Sequence, residues 1–174
     1  MSHAAILDGT TGAQAVNGDI YGVSDSSLDP NTDEFNNEGD DQVLSVWSWL
    51  NFANVNVKAG YIPFSLIALL TGETVTSSGT TPNDYYSVPL WTTRALNVGP
   101  KPMLIRVPSR DSLGAARTLD IVLYKVQFAP ITFDGPKYKD GLKVNYVGKA
   151  LPSVNDETGA ALGYTAVGRL MSHP

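Results

Sequence analysis

No apolar run in this chain travels far before a Gly, Pro, Asn or Asp halts it. Glycine and proline together number 27 of 174 residues (16 and 11), a density that favours many turns over long helices. The runs between them alternate in the manner of strands. Leu119–Phe128 (LDIVLYKVQF) is rich in β-branched and aromatic residues, with Lys125 and Gln127 falling two apart, as a half-buried strand requires. Strands are expected at Ala4–Leu7, Asp19–Val23, Tyr85–Leu90, Met103–Val107, Thr118–Phe128, Ile131–Phe133, Lys143–Leu151 and Tyr164–Leu170. Turns are expected at Thr76–Pro82 and across the segment DGPKYKDG. Many short strands at modest spacing predict a mainly β fold, an antiparallel β-sandwich or barrel.

Gln42–Gly60 departs from simple alternation. Val43, Ser45, Trp47 and Trp49 alternate with Leu44, Val46, Ser48 and Leu50, and both sets are largely apolar. Such a strand is covered on both faces or meets another subunit on one of them. Phe52, Ala53, Val55 and Val57 continue it after a bend or bulge. One segment alone reads as a helix: AGYIPFSLIALLTGETV, where Pro63 precedes an apolar cluster and Gly72 follows it. Pro63 pre-sets a first turn and Gly72 suits the left-handed position past the C-terminus. From Pro63 to Thr71 such a helix spans only ~13 Å, too short for a bilayer. Leu66, Leu69 and Leu70, widened by Phe64 and Ile67, would close the outside of the sandwich.

Charge is unevenly distributed. Residues 1–57 carry nine acids and no Lys or Arg, while residues 58–174 carry twelve bases and eight acids, so the two parts are −9 and +4 and the chain −5. Seven of the nine acids of residues 1–57 fall in Ser24–Asp41, a polar stretch nearly free of aliphatics that reads as a flexible loop or arm. One reading of the asymmetry is a solvated acidic loop. The other is complementarity between copies, which sets specificity and registry. Neither is the basic, aromatic-studded patch of a conventional nucleic-acid binder.

The candidates for chemistry are sparse. The chain has no cysteine, which excludes disulfides, thiol catalysis and thiolate zinc sites. Its two histidines, His3 and His173, sit beside the chain ends, where order is usually poor. Glu38, Asp40 and Asp41 lack the spacing and closing Glu of a calcium loop. Ser109–Ser112 (SRDS) has no base to activate a hydroxyl and reads as a turn. Neither glycine-rich stretch, Gly9–Gly12 or Gly159–Gly163, has the context of a phosphate loop. Trp47, Trp49, Phe52, Tyr85 and Tyr86 read as core or interface rather than as a sugar or base platform. The expectation is a non-enzymatic, cofactor-free, metal-free single domain over residues 1–174. No ~20-residue apolar run is present and no basic, apolar leader opens the chain, so a soluble protein made in a cytoplasm is expected.

From Gln42 onward, the order of elements resembles that of the major tail tube proteins of long-tailed bacteriophages. The resemblance covers roughly residues 42–170. It rests on the alternating strand ending in VKAG, the helix closing in LLTGETV, the Tyr-Tyr strand, MLIRV, YKVQFAPI and the late VGKAL. It implies a β-sandwich virion protein that assembles into six-membered rings stacked as a hollow tube, the conduit for double-stranded DNA. DNA would be transient, non-specific cargo, and tape-measure, tail terminator and distal tail proteins would be partners. On that reading Val43, Val46, Trp47, Trp49, Val55, Val57, Lys143, Asn145, Val147 and Lys149 are the candidates for subunit interface or lumen. Asp33, Glu34, Glu38, Asp40 and Asp41 are the candidates for an inter-ring arm. A closed ring pairs the open sheet edges of each subunit, and head-to-tail contacts need two unlike faces. A carbohydrate-binding jelly roll, or another phage structural protein such as a terminator, connector or decoration protein, are the alternatives.

Overall fold

A computed structural model describes residues 3–39, 42–61, 63–90, 98–137 and 141–173. The chain folds as an antiparallel, mainly β structure with a single short helix among the described residues. The strands are β1 (His3–Leu7), β2 (Gln14–Ile20), β3 (Val23–Gly39), β4 (Gln42–Ala59), β5 (Thr76–Ser78), β6 (Tyr85–Ser87), β7 (Lys101–Arg110), β8 (Ala116–Phe128), β9 (Thr132–Lys137), β10 (Gly141–Ala150), β11 (Ser153–Asn155), β12 (Ala161–Ala166) and β13 (Gly168–His173). Helix α1 (Phe64–Thr71) follows β4.

Two layers share strand β8. Its N-terminal half lies between β7 and β13, with Leu123 opposite both Met103 and Gly168. Its C-terminal half lies between β7 and β10, with Val126 opposite Lys101 and Ala150. The first layer therefore runs β2-β1-β7-β8-β13, and the second runs from β10 through β4 to β3, with β9 on the other side of β10. A register shift between Lys101 and Met103 marks the corner. Before it, Val122 and Tyr124 face away from the main core; after it, Val126 and Phe128 join that core. One extra residue in the ladder reverses the alternation, as a bulge must.

The main core lies between the layers. Val55, Val57 and Ala59 of β4, Val144 and Tyr146 of β10, Ile6, Ile20 and Met103 are all fully buried, and burying each large apolar side chain stabilises by about 1.5–3 kcal/mol. Val55 and Val57 are thus core residues, which corrects their expected place at an interface or lumen: period-two alternation turns them inward. The Tyr146 hydroxyl has no partner in this apolar setting, and burial pushes its pKa up to about 12. A smaller cluster of Leu7, Val122 and Tyr124 lies on the other face of the first layer, against Leu162, Ala166 and Met171.

Helix α1 contributes Leu66, Ile67 and Leu70 to the main core, with Leu69 partly buried and Phe64 exposed. Pro63 is the N-cap rather than the first helical residue, and its carbonyl accepts the N–H groups of Leu66 and Ile67. Gly72 takes the left-handed conformation (φ 74°), and its N–H caps Ala68 O, as expected of a C-terminal glycine.

Several expectations fail, including the turn across DGPKYKDG, whose Asp134–Lys137 belong to strand β9. Ser24–Asp41 is not a structureless loop, because β3 pairs with β4 from Val23↔Ala59 to Gly39↔Gln42. Thr76–Ser78 is not part of a turn but pairs with Tyr85–Ser87 in a separate two-stranded ribbon. His3 and His173 are held in β1 and β13, not in loose termini.

Candidate assembly surfaces

The β3–β4 hairpin divides into two parts. From Ala53 to Ala59, β4 is flanked by β10 on one side and β3 on the other. From Gln42 to Phe52 it pairs only with β3, forming a two-stranded arm of about 35 Å at ~3.3 Å per residue. An isolated hairpin is marginal in water, so this arm is an element awaiting cover. A register shift between Asn31 and Thr32 separates it from the sheet, and Asn51 donates to Asp33 Oδ2 at 2.6 Å. The arm leaves Trp47 67%, Trp49 50% and Leu50 38% exposed, and Asp33 and Glu34 are exposed beside them. Trp49 stands opposite Asp33 in the ladder. The side chains of Val43, Val46 and Glu38 lie outside the described part, and Asp40 and Asp41 lie outside it altogether.

The outer face of the second layer is polar. Alternation turns Asn54, Asn56 and Lys58 of β4 away from the core, beside Lys149, Val147 and Asn145 of β10. Asn54, Val147 and Lys149 are exposed, and Asn145 and Lys143 are half-buried. The Lys149 ammonium lies 4.4 Å from the centre of the Phe52 ring, a cation–π contact. Asn145 donates to Asp134 Oδ1 at 2.9 Å, and the acceptors Asn56 Oδ1 and Asn145 Oδ1 are buried without a partner. An open depression of about 330 Å³ lies at Gly148, walled by Asn54, Gln127, Val147 and Lys149.

A polar ladder crosses the outer face of the first layer. His3 Nε2 is 2.7 Å from Asp19 Oδ1, Arg106 donates twice to Asp120 at 2.7 Å, and His173 Nε2 is 3.4 Å from Asp120 Oδ2. Strand register brings these together: His3 lies opposite Arg106, and Arg106 opposite Asp120. The Arg106 guanidinium holds the Asp120 carboxyl below the usual carboxylate range against the opposing effect of burial, with smaller help from His173 and His3. Tyr21 donates to Asp19 Oδ2 and meets Tyr61 edge to face at 5.9 Å. Sequence reading missed this ladder, because pairs 14 and 16 residues apart leave no local pattern.

Three hairpins share one turn design that sequence reading also missed. At Asp111–Ala115 and Asp156–Ala160, the Asp N–H donates to the Ala carbonyl, the Gly N–H donates to the Asp carbonyl, and Asp Oδ1 accepts two backbone N–H groups. Both glycines have φ of 84°. Asp8–Ala13 is the one-residue-longer version. The available signal was the repeated string Asp-x-x-Gly-Ala. The Asp8 and Asp156 turns pack together, as a Cβ on Gly12 would stand 2.7 Å from Thr158 Cγ2. Glu157, 5% exposed, is paired there with Arg169. The SRDS segment is only half a turn: Ser109 and Arg110 end strand β7, the turn starts at Asp111, and Arg110 donates to Gly114 O.

No grouping of three His, Cys, Asp or Glu side chains placed to hold a metal occurs among the described residues, and none of their helices is long and apolar enough to cross a membrane. Neither the known protein-family models nor the curated proteins include a match to the sequence. Among solved structures, a crystal structure of Hcp protein covers 99% of this chain and 97% of that one, at 10% identity and a TM-score of 0.39. A likeness of that size carries no weight for function, which has to be argued from the surfaces themselves.

Proposed function

We propose that this chain is a non-enzymatic structural protein that assembles with itself into stacked rings, forming the tail tube of a long-tailed bacteriophage. The observation that carries the reading is the arm. It is a two-stranded ribbon extending past the sheet, with two exposed tryptophans and, in the whole of residues 1–57, acids but no bases. Large rigid aromatics are favoured anchors of interfaces, and the basic remainder of a neighbouring copy is the complementary surface.

Supporting the tube is the outer face of β4 and β10. It mixes Asn54, Asn56 and Asn145 with Lys58 and Lys149; Asp25 of β3 stands opposite Lys58, and the Lys149 ammonium sits over the Phe52 ring. A wall of that kind lets DNA slide, because phosphate adhesion depends on unopposed cations. The virion is the expected destination, and tape-measure, terminator and distal tail proteins are the expected partners. Negative-stain electron micrographs of the purified protein test the reading. Rings or tubes with a central hole support it, and particles that stay monomeric at every protein and salt concentration overturn it.

A further inference from the structure

The two layers part on one side, and the gap is an apolar groove of about 350 Å³. Its walls are strands β3 and β13, both at edges of their sheets. Leu28, Pro30 and Leu50 form one lip, Leu170 the other, and Ile121 and Leu123 the floor. Leu170 is 64% exposed, and Leu28 and Leu50 are more than a third exposed. The only base in the lining is Arg169, which Glu157 already engages.

Elsewhere the chain displays a matching knob. Leu113 is 93% exposed, on the β7–β8 turn closed by Asp111. That turn is rigid: Asp111 Oδ1 binds the N–H groups of Leu113 and Ala115 at 2.9 Å, and Arg110 and Arg117 both reach back into it. Of the three turns of this design, it alone carries a large exposed apolar side chain. A backbone already held in place loses little entropy on docking.

We infer that the groove between β3 and β13 is filled by the Leu113 turn of a second copy of this chain. The inference rests on the self-assembly reading and names one of its contacts. Charge chooses the occupant. At the rim on β3, exposed Glu34 shares the face of Leu50, being paired with Ser48 two residues away, and exposed Asp33 flanks it on the same strand. The turn brings Arg110 and Arg117 against a single acid, Asp111. The competing apolar element, the Trp47–Trp49 ribbon, bears Asp33 and Glu34 itself and meets that rim with like charge. Knob and groove are different patches, so their contact is head to tail and closes rings or extends filaments.

The chain lacks cysteine, so engineered disulfides report the contact directly. Under mild oxidation, the Leu113→Cys/Leu170→Cys double variant is expected to give a ladder of disulfide-linked multimers on a non-reducing gel. Either single variant is expected to give no more than dimers. A double variant that assembles yet shows no ladder beyond the single variants overturns the contact. Leu113→Ser tests it without new bonds: at 93% exposure its melting temperature should match the parent, while the concentration needed for assembly rises tenfold or more. Unchanged assembly of Leu113→Ser beside normal parental tubes defeats this contact and leaves the tube reading standing. A parental protein that never leaves the monomer defeats both.

Discussion

Asp120 shows how one side chain depends on strands far away in sequence. It is 2% exposed, and a buried carboxylate is tolerable only with partners. Arg106 supplies a bidentate pair, and its own side chain remains 46% exposed. Removing one partner of a buried pair strands the other, and the half-exposed Arg106 places the cost at the lower end. Arg106→Leu is expected to cost about 2–3 kcal/mol at neutral pH by urea denaturation. The folded-state pKa of Asp120 lies below its unfolded value. Its contribution is therefore complete above the unfolded pKa and lost as pH falls through the folded one. The difference between parent and Arg106→Leu should accordingly be full at pH 7 and shrink below about pH 4; a pH-independent difference would contradict the pairing. Gly168 is limited by space instead. A Cβ there would stand 2.3 Å from the Val122 carbonyl oxygen, a backbone atom. Gly168→Ala should thus lower stability by at least about 2 kcal/mol, measured by thermal melting, and a neutral result would mean that β13 is not seated on β8 as described.

Elements defined by their own residues were legible in the sequence; those defined by a partner were not. Helix α1 announced itself through Pro63, Gly72 and the apolar run between them, and it was placed within one residue. Strands β7 and β8 were equally plain, since β-branched and aromatic residues alternate along them. By contrast, β3 is built from Ser, Asp, Asn and Glu, poor strand formers, and it exists because β4 supplies its ladder. The same residues suit an edge, where Pro30 and a row of acids discourage unwanted pairing. The candidate surfaces divided similarly: the alternation of Trp47 and Trp49 was visible, but only the register showed that β4 loses its β10 neighbour beyond Ala53. At the helix, Leu70 is 6% exposed and Leu69 only partly buried. Leu70→Asp should abolish folding, while Leu69→Asp should cost about 1–2 kcal/mol and leave a folded protein; circular dichroism and melting distinguish the two. On the arm, Trp49→Ser should change monomer stability by less than about 0.5 kcal/mol. If the arm is an anchor, the same change should weaken assembly by roughly 30-fold or more; sedimentation showing parental assembly would remove Trp49 from any interface.

For the whole molecule, the division of charge is the property no single element carries. The −9 and +4 parts of the sequence fold together in the second layer, where β3 lies against β4 and β4 against β10. Within the subunit the two parts meet where Asp25 of β3 stands opposite Lys58 of β4. The arm is different: between Asn31 and Phe52 the sequence holds acids and no base, so its charge is uncompensated by its own strands. Exposed charges interact over a Debye length of about 10 Å at 0.1 M salt and about 3 Å at 1 M, whereas apolar contacts are not screened. Assembly driven by the arm against a basic neighbour should therefore slow and weaken as sodium chloride rises from about 0.05 to 1 M, while the monomer melts at nearly the same temperature. Light scattering during assembly at stepped salt concentrations measures this directly. Assembly that is indifferent to salt, or strengthened by it, would mean that the acids of β3 serve only to guard an edge and that apolar contacts alone hold the copies together.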